Sequence, residues 1–258
     1  MQFLLFAKKC ALDAGEIIRG GFHHAKKIDF KGIGDPVTEY DCRSEEMIVG
    51  AIRREFPGHG VLGEESTDIK SGSGIRWIID PLDGTVNFTH RIPLIAISIA
   101  VEAEGKIAAG VIYNPILNDM YEASAGNGAF HNGEPIRVSE ISDPEKSLVI
   151  TGFPYKRNRV DEVMKPMRTF IEKFEAFRRP GSAAIDLAYI ACGMGEGFYE
   201  EGLKPWDTAA GSLIVTEAGG IVSDYYGAAY SPDNPTILAC NPAIYTQALE
   251  ITNKVKKP

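Results

Sequence analysis

Two aspartates, Asp80 and Asp83, lie three residues apart on either side of a turn that Pro81 helps to fix. Gly84 and Thr85 follow them directly. Hard divalent cations prefer oxygen ligands, and phosphate groups bind well to backbone N–H groups and hydroxyls. The segment offers both kinds of group, and it therefore predicts a Mg²⁺-dependent site for a phosphate ester.

Two other interpretations of this segment stay open when it is taken alone. D-P-L-D-G is also good turn chemistry, because Asp tolerates the left-handed region, Pro presets φ and Gly accepts a positive φ. Aspartyl-phosphate phosphatases have a similar D-x-D-G-T strand end. There, one residue separates the two aspartates, so both side chains point to the same side of the strand. The longer spacing between Asp80 and Asp83 disfavours a nucleophilic aspartate here.

Further carboxylates lie at the ends of predicted elements. Glu64 and Glu65 follow the apolar residues 61–63, Asp41 precedes a predicted helix, and Asp207 opens another one. Singly, each has a structural explanation, because Asp favours helix N-termini and a Glu pair can occupy an exposed loop. The prediction of a metal site therefore rests on the whole set.

The elements that must position these residues follow from the apolar pattern. Apolar periodicity predicts helices over residues 2–20, 44–55, 160–176, 183–192, 205–218 and 242–254. Apolar runs between turn signals predict strands over 61–63, 75–80, 94–103, 107–113, 120–123, 147–152, 197–200 and 236–239, with a hairpin at 131–134. We expect Ser44 to cap the second helix, the strand from Ile75 to stop at Asp80, and 197–200 to form a strand edge. The alternation indicates one α/β (α+β) domain over residues 1–258, with a soft division near residue 145.

Bulk properties narrow the function. The chain has 258 residues, 44% of them hydrophobic, and a net charge of −8. This charge argues against nucleic-acid or anionic-membrane partners. The four cysteines are scattered, no signal peptide is visible, and the longest apolar stretch, 94–101, is too short to span a bilayer. We expect a soluble cytoplasmic protein with reduced thiols and a small-molecule phosphate ester as its partner.

Three motifs together resemble those of the inositol monophosphatase family. They are V-L-G-E-E-S at 61–66, W-I-I-D-P-L-D-G-T-V-N-F at 77–88 and P-W-D-T-A-A-G at 205–211. V-T-E-Y-D at 37–41 and G-S-A-A at 181–184 also match, and the resemblance covers essentially the whole chain. It implies the layered αβαβα sandwich of the sugar phosphatases, a homodimer, and inhibition by Li⁺.

The resemblance also implies a set of metal ligands. In similar enzymes a first Mg²⁺ is held by residues that match Glu64, Asp80 and the backbone carbonyl of Leu82. A second is held by residues that match Asp80, Asp83 and Asp207, so that Asp80 bridges the two ions. Every carboxylate of this set is present in the chain.

Catalytic roles follow from the same resemblance. A third, weaker Mg²⁺ would bind Glu64, with Asp41 nearby. A metal-activated water would attack phosphorus directly, without a phosphoenzyme, and Glu64 and the Thr85–Asp41 pair are the candidates that orient or deprotonate it. The N–H groups of Gly84 and Thr85 would hold the phosphate oxygens.

Residues that would contact the substrate are also implied: Asp83, Gly84, Thr85, Gly181, Ser182, Ala183, Glu200 and Asp207. The expected reaction is hydrolysis of myo-inositol monophosphate. Alternatives are fructose 1,6-bisphosphatase or a dual activity, then 3′-phosphoadenosine or histidinol phosphatase, and last a non-catalytic regulatory protein. Without the resemblance, Glu200 would be interpreted as a surface charge at a strand end.

Basic residues near these motifs leave the substrate open. They are Lys156, Arg157, Arg159, Arg178, Arg179 and Lys204. They are interpreted either as solvated charges or as contacts to a second phosphate, which would favour fructose 1,6-bisphosphate. The sequence does not choose between these two roles.

Overall fold

The computed structural model describes residues 1–24, 27–32, 35–65, 67–153 and 160–255. The helices are α1 (Gln2–Gly21), α2 (Glu39–Glu55), α3 (Thr85–His90), α4 (Val160–Lys173), α5 (Ala183–Ala191), α6 (Pro205–Glu217) and α7 (Tyr245–Thr252). The strands are β1 (Ile28–Gly32), β2 (Asp35–Thr38), β3 (Gly60–Gly63), β4 (Asp68–Ile69), β5 (Ile75–Asp83), β6 (Ala96–Ala103), β7 (Lys106–Asn114), β8 (Asp119–Ser124), β9 (Ala129–His131), β10 (Glu134–Ile136), β11 (Leu148–Thr151), β12 (Ala176–Arg178), β13 (Gly197–Glu201), β14 (Ile221–Ser223) and β15 (Thr236–Cys240).

The strands form two large sheets and one small hairpin. The first large sheet has the order β10-β9-β8-β7-β6-β5-β3-β4 and is antiparallel except where β3 pairs with β5. The second has the order β12-β11-β13-β15-β14, with β12, β11 and β13 parallel. Within the described residues, β1 and β2 pair only with each other. The strands of the two sheets come from successive parts of the chain.

The helices complete five layers. α1 and α2 cover one face of the first sheet, α5 and α6 lie between the sheets, and α4 and α7 cover the outer face of the second sheet. This confirms the predicted αβαβα sandwich. We propose that residues 1–258 form one domain with a soft division near residue 145. α5 and α6 come after residue 145 in the chain but pack against the first sheet, so the two halves share one core.

The central layer is tightly packed. α6 is buried without interruption from Thr208 to Val215, as expected for a helix enclosed on both sides. Small residues allow the close approach: a Cβ added at Gly110 of β7 would lie 2.9 Å from the Cα of Ala210. The position of α6 is therefore set by the core on both of its faces.

Two predicted boundaries were wrong. α2 begins at Glu39 and not at Ser44, because Thr38 caps it and accepts a hydrogen bond from the N–H of Tyr40. Ser44 lies inside the helix and donates to the carbonyl of Pro81 at 3.0 Å. β5 continues to Asp83 through an irregularity in its pairing with β6.

Two further predictions on the second sheet need correction. Residues 197–200 belong to β13, which lies in the middle of the sheet between β11 and β15 and is not an edge. The predicted helix over 160–176 ends at Lys173, and β12 follows it.

No helix in the described residues has the length and apolar character needed to cross a bilayer.

Candidate active site

A cavity of about 230 Å³ lies where the ends of β5 and β13 meet the N-termini of α5 and α6. The predicted site residues in its wall are Glu64, Asp80, Leu82, Asp83, Gly84, Thr85, Gly181, Ser182, Ala183, Glu200 and Asp207. The structure therefore brings every predicted site residue to one cavity except Asp41. We call the part formed by Glu64, Asp80, Asp83 and Asp207 the four-carboxylate end.

The end of β5 presents both aspartates of the D-P-L-D motif. Asp80 pairs with Ser98 of β6, the pairing is irregular over the next residues, and it resumes at Asp83. The N–H of Leu82 donates to Oδ1 of Asp80 at 3.0 Å and closes the turn. Gly84 follows with a φ of +87°, a region that favours glycine.

Asp80 lies at the centre of the four-carboxylate end. Its side chain is almost fully buried. Burial, followed by the charges of Glu64, Asp83 and Asp207, raises the pKa of Asp80 well above its ordinary value. The four acidic groups therefore lie close enough together for their charges to oppose ionisation of Asp80.

Asp83 connects the first sheet to the central helices. Its Oδ2 accepts from the hydroxyl of Ser182 at 2.6 Å and from the N–H of Ala184 at 2.7 Å. Ser182 also caps α5, since its hydroxyl accepts from the N–H of Ile185. Burial raises the pKa of Asp83 to about 6, although both hydrogen bonds oppose this shift.

Asp207 is fixed by the first turn of α6. Pro205 occupies the start of the helix, and the N–H of Lys204 donates to Oδ2 of Asp207 at 2.7 Å. Burial, and then the charge of Asp83, raises the pKa of Asp207 well above its ordinary value. Asp207 therefore both caps α6, as predicted, and lies in the cavity wall.

Glu64 has a cationic partner that the sequence did not predict. Lys31 of β1 places its Nζ 2.7 Å from Oε1 of Glu64 and 3.0 Å from Oε1 of Glu65. Burial lowers the pKa of Lys31, but the charges and hydrogen bonds of Glu64 and Glu65 together outweigh burial, so the pKa is raised. No local signal marked Lys31, because its position depends on the unpredicted β1–β2 hairpin.

Asp41 lies behind the cavity wall and not in it. It is fully buried, and its Oδ2 accepts from the N–H of Thr38 at 3.0 Å. The hydroxyl of Thr85 lies 3.0 Å from Oδ1 of Asp41 and 3.1 Å from the carbonyl of Leu82. Burial raises the pKa of Asp41 to about 6. Asp41 therefore reaches the cavity only through Thr85.

A second part of the wall contains Gly152, Asp186 and Glu200, and we call it the Glu200 end. Glu200 is buried in β13 and is not a surface charge. A Cβ added at Gly152 would overlap both carboxylate oxygens of Glu200. Burial, and then the charge of Asp83, raises the pKa of Glu200 to about 8.

Asp186 was missed by the sequence analysis. It is almost fully buried in α5, and neither of its carboxylate oxygens has a hydrogen-bond partner in the described structure. Burial, and then the charges of Glu200 and Asp83, raises its pKa well above the ordinary value. The available signal was its position as the single charged residue of the apolar helix Ala183–Ala191.

The basic residues divide into two groups. Arg179 and Lys204 lie in the cavity wall, and the Arg179 guanidinium lies 5.5 Å from the centre of the Phe153 ring. Arg178 is outside the wall and donates to the carbonyl of Phe177. The other three predicted positions, Lys156, Arg157 and Arg159, lie outside the described residues.

The donor set of the four-carboxylate end fits a hard divalent cation, because it consists of oxygen atoms with a large excess of negative charge. Among the described residues, no three acidic, histidine or cysteine side chains are arranged so that they could hold a metal ion. Glu64 instead pairs with Lys31, and Asp83 accepts from Ser182. Metal binding by Glu64 would therefore require it to release Lys31, whereas Asp83 can keep both contacts, because they use Oδ2 alone.

Comparisons with known proteins give a consistent picture. The model of the inositol monophosphatase family matches residues 1–257. The Nus factor SuhB of Escherichia coli K12 is 39% identical over 245 residues, which cover 93% of this chain and 92% of that protein. Inositol monophosphatase 2 of Solanum lycopersicum is 42% identical over 248 residues, covering 93% and 94%. The crystal structure of the extragenic suppressor protein suhB from Bartonella henselae matches with a TM-score of 0.95 and 37% identity, covering 98% and 99%.

Proposed function

The chain belongs to the inositol monophosphatase family, and from this premise we propose that it hydrolyses myo-inositol monophosphate to inositol and phosphate with Mg²⁺ as cofactor. That the chain is a phosphatase follows from the family and from relatives named inositol-1-monophosphatase and inositol monophosphatase 2. The observation that carries the proposal is the meeting of four carboxylates with Gly84 and Thr85 around one cavity.

Residues of the four-carboxylate end would hold the metal. Glu64, Asp80 and the carbonyl of Leu82 form one ligand group, and Asp80 with Asp83 and Asp207 forms a second that shares Asp80. A third, weaker ion would also take Glu64, so that two to three Mg²⁺ bind per subunit. When bound, Mg²⁺ would supply Lewis-acid activation of water and neutralise charge on the phosphate.

The chain's own groups would carry out the remaining steps. Thr85 donates to Asp41, or to the carbonyl of Leu82, and keeps a hydroxyl at the cavity wall. This arrangement supports a role for the Thr85–Asp41 pair in orienting or deprotonating the attacking water, together with Glu64. The N–H groups of Gly84 and Thr85 would hold phosphate oxygens during direct attack on phosphorus.

The alcohol part of the substrate would lie toward the Glu200 end. Ser182 and Glu200 both lie in the cavity wall, and a carboxylate is a good acceptor for the hydroxyls of a polyol. Gly181 and Ala183 are small residues that leave room beside Ser182. This division supports an inositol phosphate as the substrate.

Phosphate release tests the proposal directly. The purified chain is incubated with myo-inositol 1-phosphate, fructose 1,6-bisphosphate, 3′-phosphoadenosine 5′-phosphate and histidinol phosphate, with and without Mg²⁺. We expect the fastest release from inositol phosphate, an absolute requirement for Mg²⁺, and inhibition by added Li⁺. Absence of release from every ester at saturating Mg²⁺ would contradict the proposal.

A second candidate substrate is a bisphosphate such as fructose 1,6-bisphosphate. Arg179 supports it, because this cation lies in the wall of the same cavity as the four carboxylates. If Arg179 binds a second phosphate, Arg179→Ala should raise KM for the bisphosphate and leave KM for inositol 1-phosphate unchanged. An equal change for both substrates would contradict this role.

A role as a Nus factor is a further candidate, and it is supported by 39% identity to relatives that are named Nus factor SuhB. Direct binding of the purified chain to bacterial RNA polymerase would test it. Binding that persists in a catalytically inactive variant would separate this role from phosphatase activity. No binding at micromolar concentrations would leave hydrolysis as the sole proposed function.

We further propose a cytoplasmic location and a homodimer. The four cysteines are all free thiols, which is the state expected in a reducing compartment: Cys10, Cys42, Cys192 and Cys240. The dimer is an expectation from the family resemblance. Sedimentation equilibrium of the purified chain would test it.

A further inference from the structure

Glu45 is a buried carboxylate that lies outside the four-carboxylate end. It is on α2, one helical turn after Asp41, and it is 3% exposed. Its Oε2 accepts from the N–H of Glu65 at 2.9 Å, and its Oε1 accepts from the hydroxyl of Thr67 at 2.7 Å. One side chain of α2 therefore binds the loop that follows β3 at two points.

Gly63 brings this loop unusually close to Glu45. A Cβ added at Gly63 would lie 2.5 Å from Oε2 of Glu45. The N–H of Gly63 also donates to the carbonyl of Thr67 at 2.7 Å, and the N–H of Glu64 donates to the carbonyl of Ile79 at 3.2 Å. The backbone of Glu64 is thus fixed at its own position and on both sides.

We propose that Glu45 is a positioning residue that sets the place of Glu64 for divalent-cation binding. This inference rests on the proposed function, in which Glu64 is a metal ligand. Partners that orient ligand side chains from behind commonly change metal affinity by about 10- to 100-fold when they are removed. Glu45 acts through the N–H of Glu65 and through Thr67, whose carbonyl accepts from the N–H of Gly63. Glu45 is not among the residues of the cavity wall.

The hydrogen-bonding chemistry predicts which substitutions preserve the role. Gln at position 45 retains one oxygen for the N–H of Glu65, and its amide group can donate to the Thr67 hydroxyl, which is also an acceptor. Ala retains neither contact and leaves the partly buried N–H of Glu65 without this acceptor. Gly63→Ala keeps Glu45 intact but displaces its carboxylate from the loop.

A matched control is available at Glu196. This glutamate is also 3% exposed, and it accepts from the N–H of Leu148 at 2.6 Å, outside the cavity wall. Glu196→Ala removes a buried carboxylate and its backbone contact without touching the loop after β3. It therefore reports the cost in stability alone.

The experiment is a calorimetric titration of the full chain with Mg²⁺ in the absence of substrate, with thermal unfolding of each variant. We expect Glu45→Ala and Gly63→Ala to weaken Mg²⁺ binding by about 10- to 100-fold, and Glu45→Gln to stay within about threefold of wild type. Glu196→Ala should lower Tm but leave Mg²⁺ binding unchanged. In turnover assays, Glu45→Ala should raise the Mg²⁺ concentration for half-maximal rate more than it lowers kcat.

The outcomes separate the two proposals. Wild-type Mg²⁺ affinity in folded Glu45→Ala and Gly63→Ala variants would overturn the positioning role and leave the proposed function standing. If Glu196→Ala lost as much Mg²⁺ affinity as Glu45→Ala, the positioning role would also be overturned, because general destabilisation would explain both losses. If the wild-type chain itself binds no divalent cation, the proposed function fails and the inference fails with it.

Discussion

The two ends of the cavity hold their carboxylates in different ways. At the four-carboxylate end, Asp80, Asp83 and Asp207 each accept a hydrogen bond from a backbone N–H. At the Glu200 end, the oxygens of Asp186 have no hydrogen-bond partner in the described structure. Glu200 there packs against the bare Cα of Gly152.

This difference separates positions fixed by hydrogen bonds from positions fixed by packing. Backbone N–H groups hold the carboxylates of the first end at defined points before any ligand arrives. The second end depends on steric fit and on burial of polar groups, which is energetically unfavourable without partners. We therefore expect substitutions at the first end to affect every substrate and substitutions at the second to discriminate among substrates.

The largest expected effect is at the four-carboxylate end. Asp83→Asn and Glu64→Gln should each reduce phosphate release from every ester by more than about 100-fold, because each removes a ligand charge. The fold should be retained, since Asn can still accept from the N–H of Ala184. Circular dichroism and steady-state rates check both points. Turnover near the wild-type level in either variant would contradict the assignment of Asp83 and Glu64 as metal ligands.

Gly152→Ala should produce a selective loss at the Glu200 end. The added methyl group displaces the Glu200 carboxylate, so we expect kcat/KM for inositol 1-phosphate to fall about 10-fold or more. The rate with p-nitrophenyl phosphate, which lacks polyol hydroxyls, should change by less than about twofold. Gly58→Ala is the matched control, because a Cβ there meets no atom within 4 Å.

A double-mutant cycle sharpens this test. Adding Glu200→Gln to Gly152→Ala should lower kcat/KM for inositol 1-phosphate little further, because both changes remove the same contact. Fully additive losses would show that Gly152 does not act through Glu200. Equal losses on both substrates would remove the distinction between the two ends.

Lys31→Met should have a smaller effect than the substitutions above, and it should strengthen Mg²⁺ binding. Wild-type Lys31 must release Glu64 before a cation can bind there, and the pair is partly exposed, at 27% and 19%. We expect Mg²⁺ affinity to rise about two- to fivefold in the variant. Calorimetric titration measures it, with Lys70→Met, whose partner is Asp68, as a control. Weaker Mg²⁺ binding in Lys31→Met would contradict a competing role for Lys31.

The smallest expected effect is on stability. The pKa of Asp186 is raised in the folded chain, and its unfolded value is about 3.9. Folding therefore loses stability as pH rises above about 4 and through the folded pKa, and Asp186→Asn should remove that loss. We expect the Tm of the variant to exceed that of wild type by a margin that grows from pH 5 to pH 8. A margin independent of pH would contradict the raised pKa.

The same difference explains what the sequence could predict. Asp80 and Asp83 lie in the last four residues of β5, and Asp207 lies in the first turn of α6. Apolar runs break at these places and a carboxylate meets free N–H groups, so the local pattern identifies all three. Gly152 and Asp186 owe their environment to packing between β11, β13 and α5. Contacts between residues distant in sequence leave no local pattern, and a lone Asp in an apolar helix was the only available signal.

Local chemistry also misled the prediction of α2. Ser44 is a good capping residue, but Thr38 and Asp41 form the actual cap six residues earlier. Asp41 then serves both the helix start and Thr85. Glu200 was predicted from the family resemblance alone, because a carboxylate in a central strand contradicts the usual preference for apolar residues there.

The burial of α6 also constrains how this chain can change over evolutionary time. Asp207 is carried at the start of a helix whose residues 208–215 are enclosed by both sheets. A single methyl group at Gly110 would press on the backbone of Ala210, and a helix held so tightly shifts as a unit. Selection for folding and selection for turnover therefore act on the same small residues. Neutral drift is left to outer surfaces such as that of α4, where Val160, Met164 and Ile171 are exposed.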